Sequence, residues 1–191
     1  MEFFCYHRDR TGSLPLRQAL NEAHLAYMDP YAKEMIARGP TFGEDGETLT
    51  GSVHVLDLPD ADAARAFAFD EPNYRAGAYR DVMLRRWRNV LGRTMGDFPG
   101  GRTGGDRFLV IGLGAPTATA EAVDLEAPAD WEDREDLIAY GPLLSDDGAT
   151  WLGTAALVRA PDPEAARGVL RTPGGYEAVE VHDWQFGGRP A

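Results

Sequence analysis

Apolar positions along the chain follow two spacings, one typical of strands and one typical of helices. Residues 2–8 and 107–113 are short runs rich in aromatic and β-branched side chains, which predict strands. A first helix is predicted from apolar residues with the spacing of one helical face, at Leu16, Leu20, Ala23, Tyr27 and Tyr31. Pro30 predicts a bend or break in that helix, because proline lacks an amide donor and crowds the preceding turn.

The chain contains an internal repeat. When the sequence is shifted by 102 positions, residues 39–74 align with residues 141–176 without a gap. About one aligned position in three is identical, which indicates a duplication. In the first copy the identical positions are Gly39, Pro40, Asp45, Gly46, Thr48, Gly51, Pro59, Asp60, Ala63, Ala64, Arg65 and Tyr74.

Each copy is predicted to run strand, helix, strand, strand, helix, strand. Asp60 and Asp162 are predicted N-caps of the second helix in each copy, and Pro163 suits a first helical position. This βαββαβ order predicts an α+β fold, with an antiparallel four-stranded sheet that carries both helices on one face. The other face would be bare. We therefore expect the two sheets to cover each other within one chain.

The copies are separated by a segment rich in glycine. We predict a first repeat over residues 1–95, a linker over 96–106 and a second, degenerate repeat over 107–191. The chain would then be a monomer that resembles a dimer internally, and further oligomerisation stays open.

Charge and composition narrow the classes of partner. Nineteen basic residues against 31 acidic ones give a net charge of −12, which disfavours nucleic acid and anionic membrane surfaces. No apolar run approaches the roughly 20 residues that a membrane helix needs, and the start has no secretory pattern. The single cysteine, Cys5, cannot form an internal disulfide, which fits a reducing compartment. A cytoplasmic location is the expectation.

Several short segments resemble the YCII-related family. The matching segments are "AHLAYM" (23–28), "GP" (39–40), "TGS" (50–52), "EPNYRAG" (71–77) and "VMLRRW" (82–87). The resemblance covers most of the first copy, whereas the second copy retains mainly the "GP" and Asp-Gly positions. It implies a ferredoxin-like fold whose sheets pair as a dimeric α+β barrel, here formed by two tandem repeats within one chain.

The resemblance also implies an active site, formed by a helix histidine and an aspartate in a D-P-Y/F-x-x-A-G segment. The histidine corresponds to His24. Glu71 stands at the aspartate position and Asp70 one residue earlier, so both are candidate catalytic partners. In the second copy Glu126 stands in place of the histidine, and the stretch 171–177 has no carboxylate before its turn. One site, in the first half, is therefore expected.

A carboxylate that holds one imidazole nitrogen leaves the other nitrogen as a general acid or base near neutral pH. Around this pair, Ser52 and His54 alternate with Val53 and Val55. If the valines face the helices, Ser52 and His54 point between the two sheets, where both are candidate substrate contacts and His54 could instead support the catalytic pair from behind. Aromatic side chains that could line such a pocket are Tyr27, Phe69 and Trp87.

Other chemistry is weakly indicated. Cys5, His7 and Asp9 share one strand face, but side chains about 6 to 7 Å apart along a strand do not converge on one atom. The segment "GLGAPT" (112–117) lacks the third glycine of a dinucleotide loop, so no cofactor is expected.

Three functions remain. The resemblance suggests a small-molecule enzyme that uses acid/base chemistry, as a lyase, an isomerase or a dehydrochlorinase-like protein. The alternative is a non-catalytic module that binds a small ligand or acts in regulation, since some members of the family look associated with sigma factors. A third hypothesis is a metal or haem site built from His24, His54 and Glu71.

Overall fold

The computed structural model describes residues 1–115, 134–170 and 175–189, which form a mixed α+β fold with an antiparallel sheet. The strands are β1 (Glu2–Asp9), β2 (Met35–Phe42), β3 (Leu49–Asp57), β4 (Tyr79–Trp87), β5 (Arg107–Leu113), β6 (Leu137–Leu144), β7 (Trp151–Arg159) and β8 (Ala178–Trp184). The helices are α1 (Leu14–Ala19), α2 (Asn21–Met28), α3 (Ala61–Phe69), α4 (Pro72–Arg75) and α5 (Pro163–Arg167).

The eight strands close into a barrel in the order β1-β3-β2-β8-β5-β7-β6-β4. The first half supplies the consecutive strands β4-β1-β3-β2, and the second half supplies β8-β5-β7-β6. Corresponding strands therefore stand in the same order in the two halves. The halves meet at two short antiparallel seams, β2 with β8 and β4 with β6.

A tryptophan from each half packs on a glycine of the other half at these seams. Trp87 lies on Gly141 and donates its Nε1–H to the Gly141 carbonyl at 3.0 Å. Trp184 lies in the same way on Gly39. A Cβ atom on Gly39 would overlap the carbonyl oxygen of Gln185, and one on Gly141 would overlap the carbonyl oxygen of Arg88. Close backbone approach thus requires glycine at both seams.

The inside of the barrel is an apolar core built by both halves. Val53 and Val55 point into this core, so Ser52 and His54 point to the opposite face, toward the helices. The expectation that Ser52 and His54 lie between the sheets is therefore wrong. Period-two alternation separates two faces without saying which one is inward, and the dry interior favours the branched apolar side chains. Other members of this core include Phe4, Tyr6, Leu109, Ile111, Ala155 and Leu157.

The helices cover the outer faces of the sheets, and the predicted N-caps of α3 and α5 are confirmed. The Asp60 side chain accepts the N–H of Ala63 at the start of α3, and Asp162 accepts that of Ala165 at the start of α5. The first predicted helix is divided into α1 and α2, and Pro30 lies in the 3₁₀ turn that follows α2. Glu126 and residues 171–174 lie outside the described residues. None of the described helices is long and apolar enough to span a membrane.

Candidate active site

His24 and Glu71 meet on the helix side of the first-half sheet. His24 lies on α2, and Glu71 is the N-cap of α4. Their Nδ1 and Oε1 atoms are 2.7 Å apart, and the Glu71 side chain is fully buried. Asp70, the other candidate, is exposed and pairs with Arg75 at 2.6 Å. Of the two carboxylates, Glu71 is therefore the one that contacts His24.

Glu71 is held by two further hydrogen bonds. Its Oε1 accepts a hydrogen bond from Asn73 Nδ2 at 3.0 Å, and its Oε2 accepts the backbone N–H of Tyr74 at 2.8 Å, which caps α4. Burial alone raises the pKa of Glu71, but the hydrogen bonds from His24 and from backbone amides outweigh burial, and the net pKa is lowered. Glu71 is therefore ionised near neutral pH.

This carboxylate fixes the tautomer of His24. An ionised carboxylate only accepts hydrogen bonds, so the proton of a neutral His24 ring lies on Nδ1, and Nε2 carries the lone pair. About 14% of the His24 side chain is exposed, which leaves the ring accessible from one side. The arrangement therefore provides a proton acceptor whose orientation is set from behind.

A cavity of about 240 Å³ opens beside His24. At about 30 Å³ per water, this volume holds roughly eight water molecules, so it fits a compact ligand rather than a dinucleotide. Its walls are polar except for one leucine, and they consist of Arg17, Gln18, Asn21, His24, Leu49 and Asn73.

Arg17 is a charged residue in the wall of this cavity, and the sequence did not single it out. Its Nη1 contacts the two carboxylate oxygens of Asp9 at 2.8 and 3.0 Å, and its Nη2 donates to Ser52 Oγ at 2.7 Å. The candidate substrate-binding residue Ser52 thus holds Arg17. Burial raises the pKa of Asp9, although Arg17 acts in the opposite direction. A signal existed in the sequence, since Arg17 precedes His24 by seven residues, or two helical turns on one face.

Two further histidines lie behind His24. The buried ring of His54 is 5.8 Å from the ring of His24, and its Nδ1 has no hydrogen-bond partner among the described residues. Burial, reinforced by His24 and His7, lowers the pKa of His54 well below 6.5. His7 donates from Nε2 to the Ala68 carbonyl at 2.8 Å, and burial lowers its pKa too. Both rings are therefore neutral at neutral pH.

The predicted aromatic pocket residues lie elsewhere. Tyr27 donates its hydroxyl to the carbonyls of α3 at 3.1 and 3.3 Å and is not part of the cavity wall. Trp87 is buried at a barrel seam, and Phe69 packs against Tyr74. His54, a candidate substrate contact, supports His24 from behind instead of lining the cavity. The cavity beside His24 lies under the helices, so the expected pocket between the sheets is wrong in position.

The remaining candidate chemistry does not assemble. Cys5 Sγ lies 3.6 Å from His7 Nδ1, burial raises the pKa of this thiol, and Asp9 is occupied by Arg17. Over residues 1–115, 134–170 and 175–189, no group of three His, Cys, Asp or Glu side chains is arranged to hold a metal ion. His24 and Glu71 form a hydrogen-bonded pair rather than two ligands of one metal.

A larger groove, of about 1020 Å³, lies near the β2–β8 seam. Residues of both halves line it, among them Arg107, His182 and Asp183, but neither His24 nor Glu71 does. Volume alone does not define a reactive site, whereas the smaller cavity has an oriented imidazole in its wall. We therefore assign the candidate active site to the smaller cavity.

Two aromatic rings lie at the corresponding positions of the second-half sheet. Ser52 pairs with His7 across the first sheet, and its counterpart Thr154 pairs with Gly112 across the second. A side chain at Gly112 would collide with the ring of Tyr176. By the same register Gly114 corresponds to Asp9, and there the ring of Trp151 occupies the space. Trp151 is the counterpart of Leu49, which lines the first-half cavity.

The match to a known protein family falls on the first half of the chain. Residues 1–88 match the model of the YCII-related domain. The protein YciI of Escherichia coli and an uncharacterized protein of Haemophilus influenzae are each 28% identical over 98 residues, which are 48% of this chain and 100% of theirs. Residues 1–88 of the chain therefore contain a YCII-related domain.

A solved structure also aligns with about half of the chain. It is 5-chloro-2-hydroxyhydroquinone dehydrochlorinase (TftG) from Burkholderia phenoliruptrix, in complex with 2,5-dihydroxybenzoquinone. The two sequences are 31% identical, and the alignment covers 49% of this chain and 99% of that one, with a TM-score of 0.44.

Proposed function

We propose that the first half is a small-molecule enzyme that uses His24 as general acid and base and Glu71 as the residue that orients it. The main support is the 2.7 Å contact between Nδ1 of His24 and the fully buried carboxylate of Glu71, with His24 in the wall of a cavity of about 240 Å³. Nε2 is the ring nitrogen that Glu71 leaves available for a substrate.

The proposed chemistry begins with transfer of a proton between a substrate carbon and His24 Nε2. When the C–H bond breaks, its electron pair moves toward an adjacent carbonyl and an enolate forms. Return of the proton to another carbon gives an isomerisation, and departure of a leaving group gives an elimination of the dehydrochlorinase type. A positioned general base supplies about 10²- to 10⁴-fold in rate, which suits substrates whose C–H bond is already activated.

An exchange experiment tests this proposal without knowledge of the natural substrate. A panel of small carbonyl compounds, charged and neutral, is incubated with the protein in D₂O, and loss of C–H signals is followed by NMR. We expect catalysed exchange of at least one compound, and a loss of about 10²- to 10⁴-fold in His24→Gln.

The matched control is His182→Gln, because His182 forms the second-half histidine–carboxylate contact, with Glu180 at 3.1 Å. Its exchange rate is expected to equal that of the unaltered protein. Exchange that survives in His24→Gln, or that falls equally in both variants, contradicts the proposal. Ligand binding without exchange in any protein would instead identify a non-catalytic binding module.

We also propose that the chain consists of two ferredoxin-like repeats, over residues 1–95 and 107–191, joined by a linker at 96–106. The matching strand orders and the reciprocal contacts of Trp87 with Gly141 and of Trp184 with Gly39 support this organisation. The second repeat then acts as the dimer partner of the first. Light scattering should give the mass of one chain, or a multiple in which each chain keeps both repeats.

A further inference from the structure

We propose that Arg17 makes the cavity beside His24 selective for compact anions, so that the substrate class is a small carboxylate or enolate whose charged oxygen binds Arg17. This inference rests on the proposed function, because it identifies the kind of molecule that the acid/base site receives. Three features support it: the charges around the cavity, the free donors of Arg17 and the size of the cavity.

The charges of the cavity wall are opposite to those of the protein as a whole. The chain has a net charge of −12, yet no carboxylate is among the residues that line the cavity. The two acidic partners lie behind the wall, Asp9 behind Arg17 and Glu71 behind His24. A molecule in the cavity therefore contacts a guanidinium and side-chain amides, which donate hydrogen bonds, and an imidazole whose Nε2 accepts a proton.

Arg17 retains donors for a ligand. Its Nη1 contacts Asp9 and the Gly51 carbonyl, and one N–H of Nη2 reaches Ser52. Within the described part of the chain, no contact occupies the second N–H of Nη2 or the Nε–H. Because Asp9 and Ser52 hold the guanidinium in place, an anion that binds it loses little side-chain entropy.

The positions of Arg17 and His24 in one wall suit an anion that ionises at carbon. Arg17 would stabilise the charge that moves onto oxygen when Nε2 takes a carbon-bound proton, in a site partly shielded from water. The volume of about 240 Å³ suits a compact molecule of this kind. A short oxo acid or a single hydroxylated ring meets both requirements.

Benzoate and benzamide test the inference, because they have nearly the same shape and differ in charge. Their affinities for the full chain are measured by isothermal titration and by ligand-observed NMR. We expect benzoate to bind about 10- to 100-fold more tightly than benzamide, and Arg17→Gln to remove that preference. His24→Gln should keep the preference, since His24 is not its source.

Two variants control for the loss of a buried ion pair. Arg8→Gln removes another arginine of the first half that pairs with carboxylates, Asp81 and Glu180, outside this cavity, and should leave benzoate affinity within about twofold. If Arg17→Gln fails to fold, the double variant Asp9→Asn/Arg17→Gln removes both members of the pair and must still lose the preference.

The outcomes separate this inference from the proposed function. Equal affinities of the unaltered protein for benzoate and benzamide, or a preference that survives in folded Arg17 variants, overturn the inference. Either result leaves the acid/base proposal standing if His24→Gln still abolishes exchange. A preference that depends on Arg17, together with no exchange in any protein, supports the inference and rejects the enzyme.

Discussion

The two halves of the chain share one frame and differ in what occupies the space under their helices. Both have four strands in the same order, an aspartate cap on the helix after their third strand, and a tryptophan on a glycine of the other half. In the first half this space contains Arg17, His24 and a cavity. In the second half the rings of Trp151 and Tyr176, 5.7 Å apart, lie against Gly114 and Gly112 at the corresponding positions of the sheet.

The difference shows how few positions separate a site from a packed core. Ala156 replaces His54, Gly112 stands at the position of His7, and Trp151 replaces Leu49. None of these positions takes part in the contacts that close the barrel seams. The second half can therefore close the barrel with the first without the side chains that form the first-half site.

The largest expected effect concerns Glu71, which has no counterpart among the described residues of the second half. Glu71→Gln keeps a side chain of the same length but removes the charge that fixes His24. We expect the exchange rate to fall by about 10²- to 10⁴-fold, and ¹⁵N shifts of His24 to show a loss of the Nδ1–H tautomer. Asp70→Asn is the matched control, because Asp70 pairs with Arg75 on the surface. A comparable loss of exchange in Asp70→Asn would contradict the assignment of Glu71 as the partner of His24.

The next effect tests the shared frame. Gly39→Ala and Gly141→Ala each place a methyl group on a backbone oxygen across a seam. We expect each to lower the free energy of unfolding by about 3 kcal/mol, or about 10 °C in Tm. Thermal unfolding of both variants measures this. A loss at only one seam would contradict the equivalence of the two halves.

A smaller effect concerns pH and is confined to the first half. The pKa of His54 is well below 6.5 in the folded protein, so below about pH 6.5 the unfolded chain takes up a proton that the folded chain does not. Stability should therefore fall as the pH decreases, by about 1.4 kcal/mol per pH unit from this group. Chemical denaturation at about pH 6 and pH 5 measures the slope.

His54→Ala should flatten this slope by that amount, whatever it does to stability at neutral pH. Phe67→Leu is the control, because the ring of Phe67 lies 5.5 Å from the ring of His54 and its substitution removes no titrating group. A slope that is the same in His54→Ala and in the unaltered protein would show that His54 takes up its proton equally in both states.

The sequence was sufficient where local chemistry decides the structure. Asp60 and Asp162 cap helices because a short carboxylate reaches the amide three residues on, and Pro30 ends α2 because it lacks an amide donor. His24 was predicted from the resemblance of residues 23–28 to the YCII-related family. Adjacent Asp70 and Glu71 could not be separated by sequence, since the choice depends on which one turns inward at the start of α4.

The sequence was insufficient where contacts across the fold decide. Alternation in β3 defines two faces equally well, and only the second sheet shows that Val53 and Val55 face the interior. Arg17 resembles a solvated helix residue until Asp9 and Ser52, from two other strands, are seen to hold it. The seven-residue spacing places Arg17 on the helical face of His24 but does not reveal these tertiary partners, from which its role follows.

Exchange of one residue pair between the halves tests the central claim most directly. Leu49→Trp places the second-half side chain in the first-half cavity, and Trp151→Leu does the reverse. The affinity for benzoate is measured for both folded variants. The account predicts a loss of at least about tenfold in Leu49→Trp and an unchanged affinity in Trp151→Leu. Unchanged binding in Leu49→Trp, or loss of binding only in Trp151→Leu, would contradict a single site in the first half.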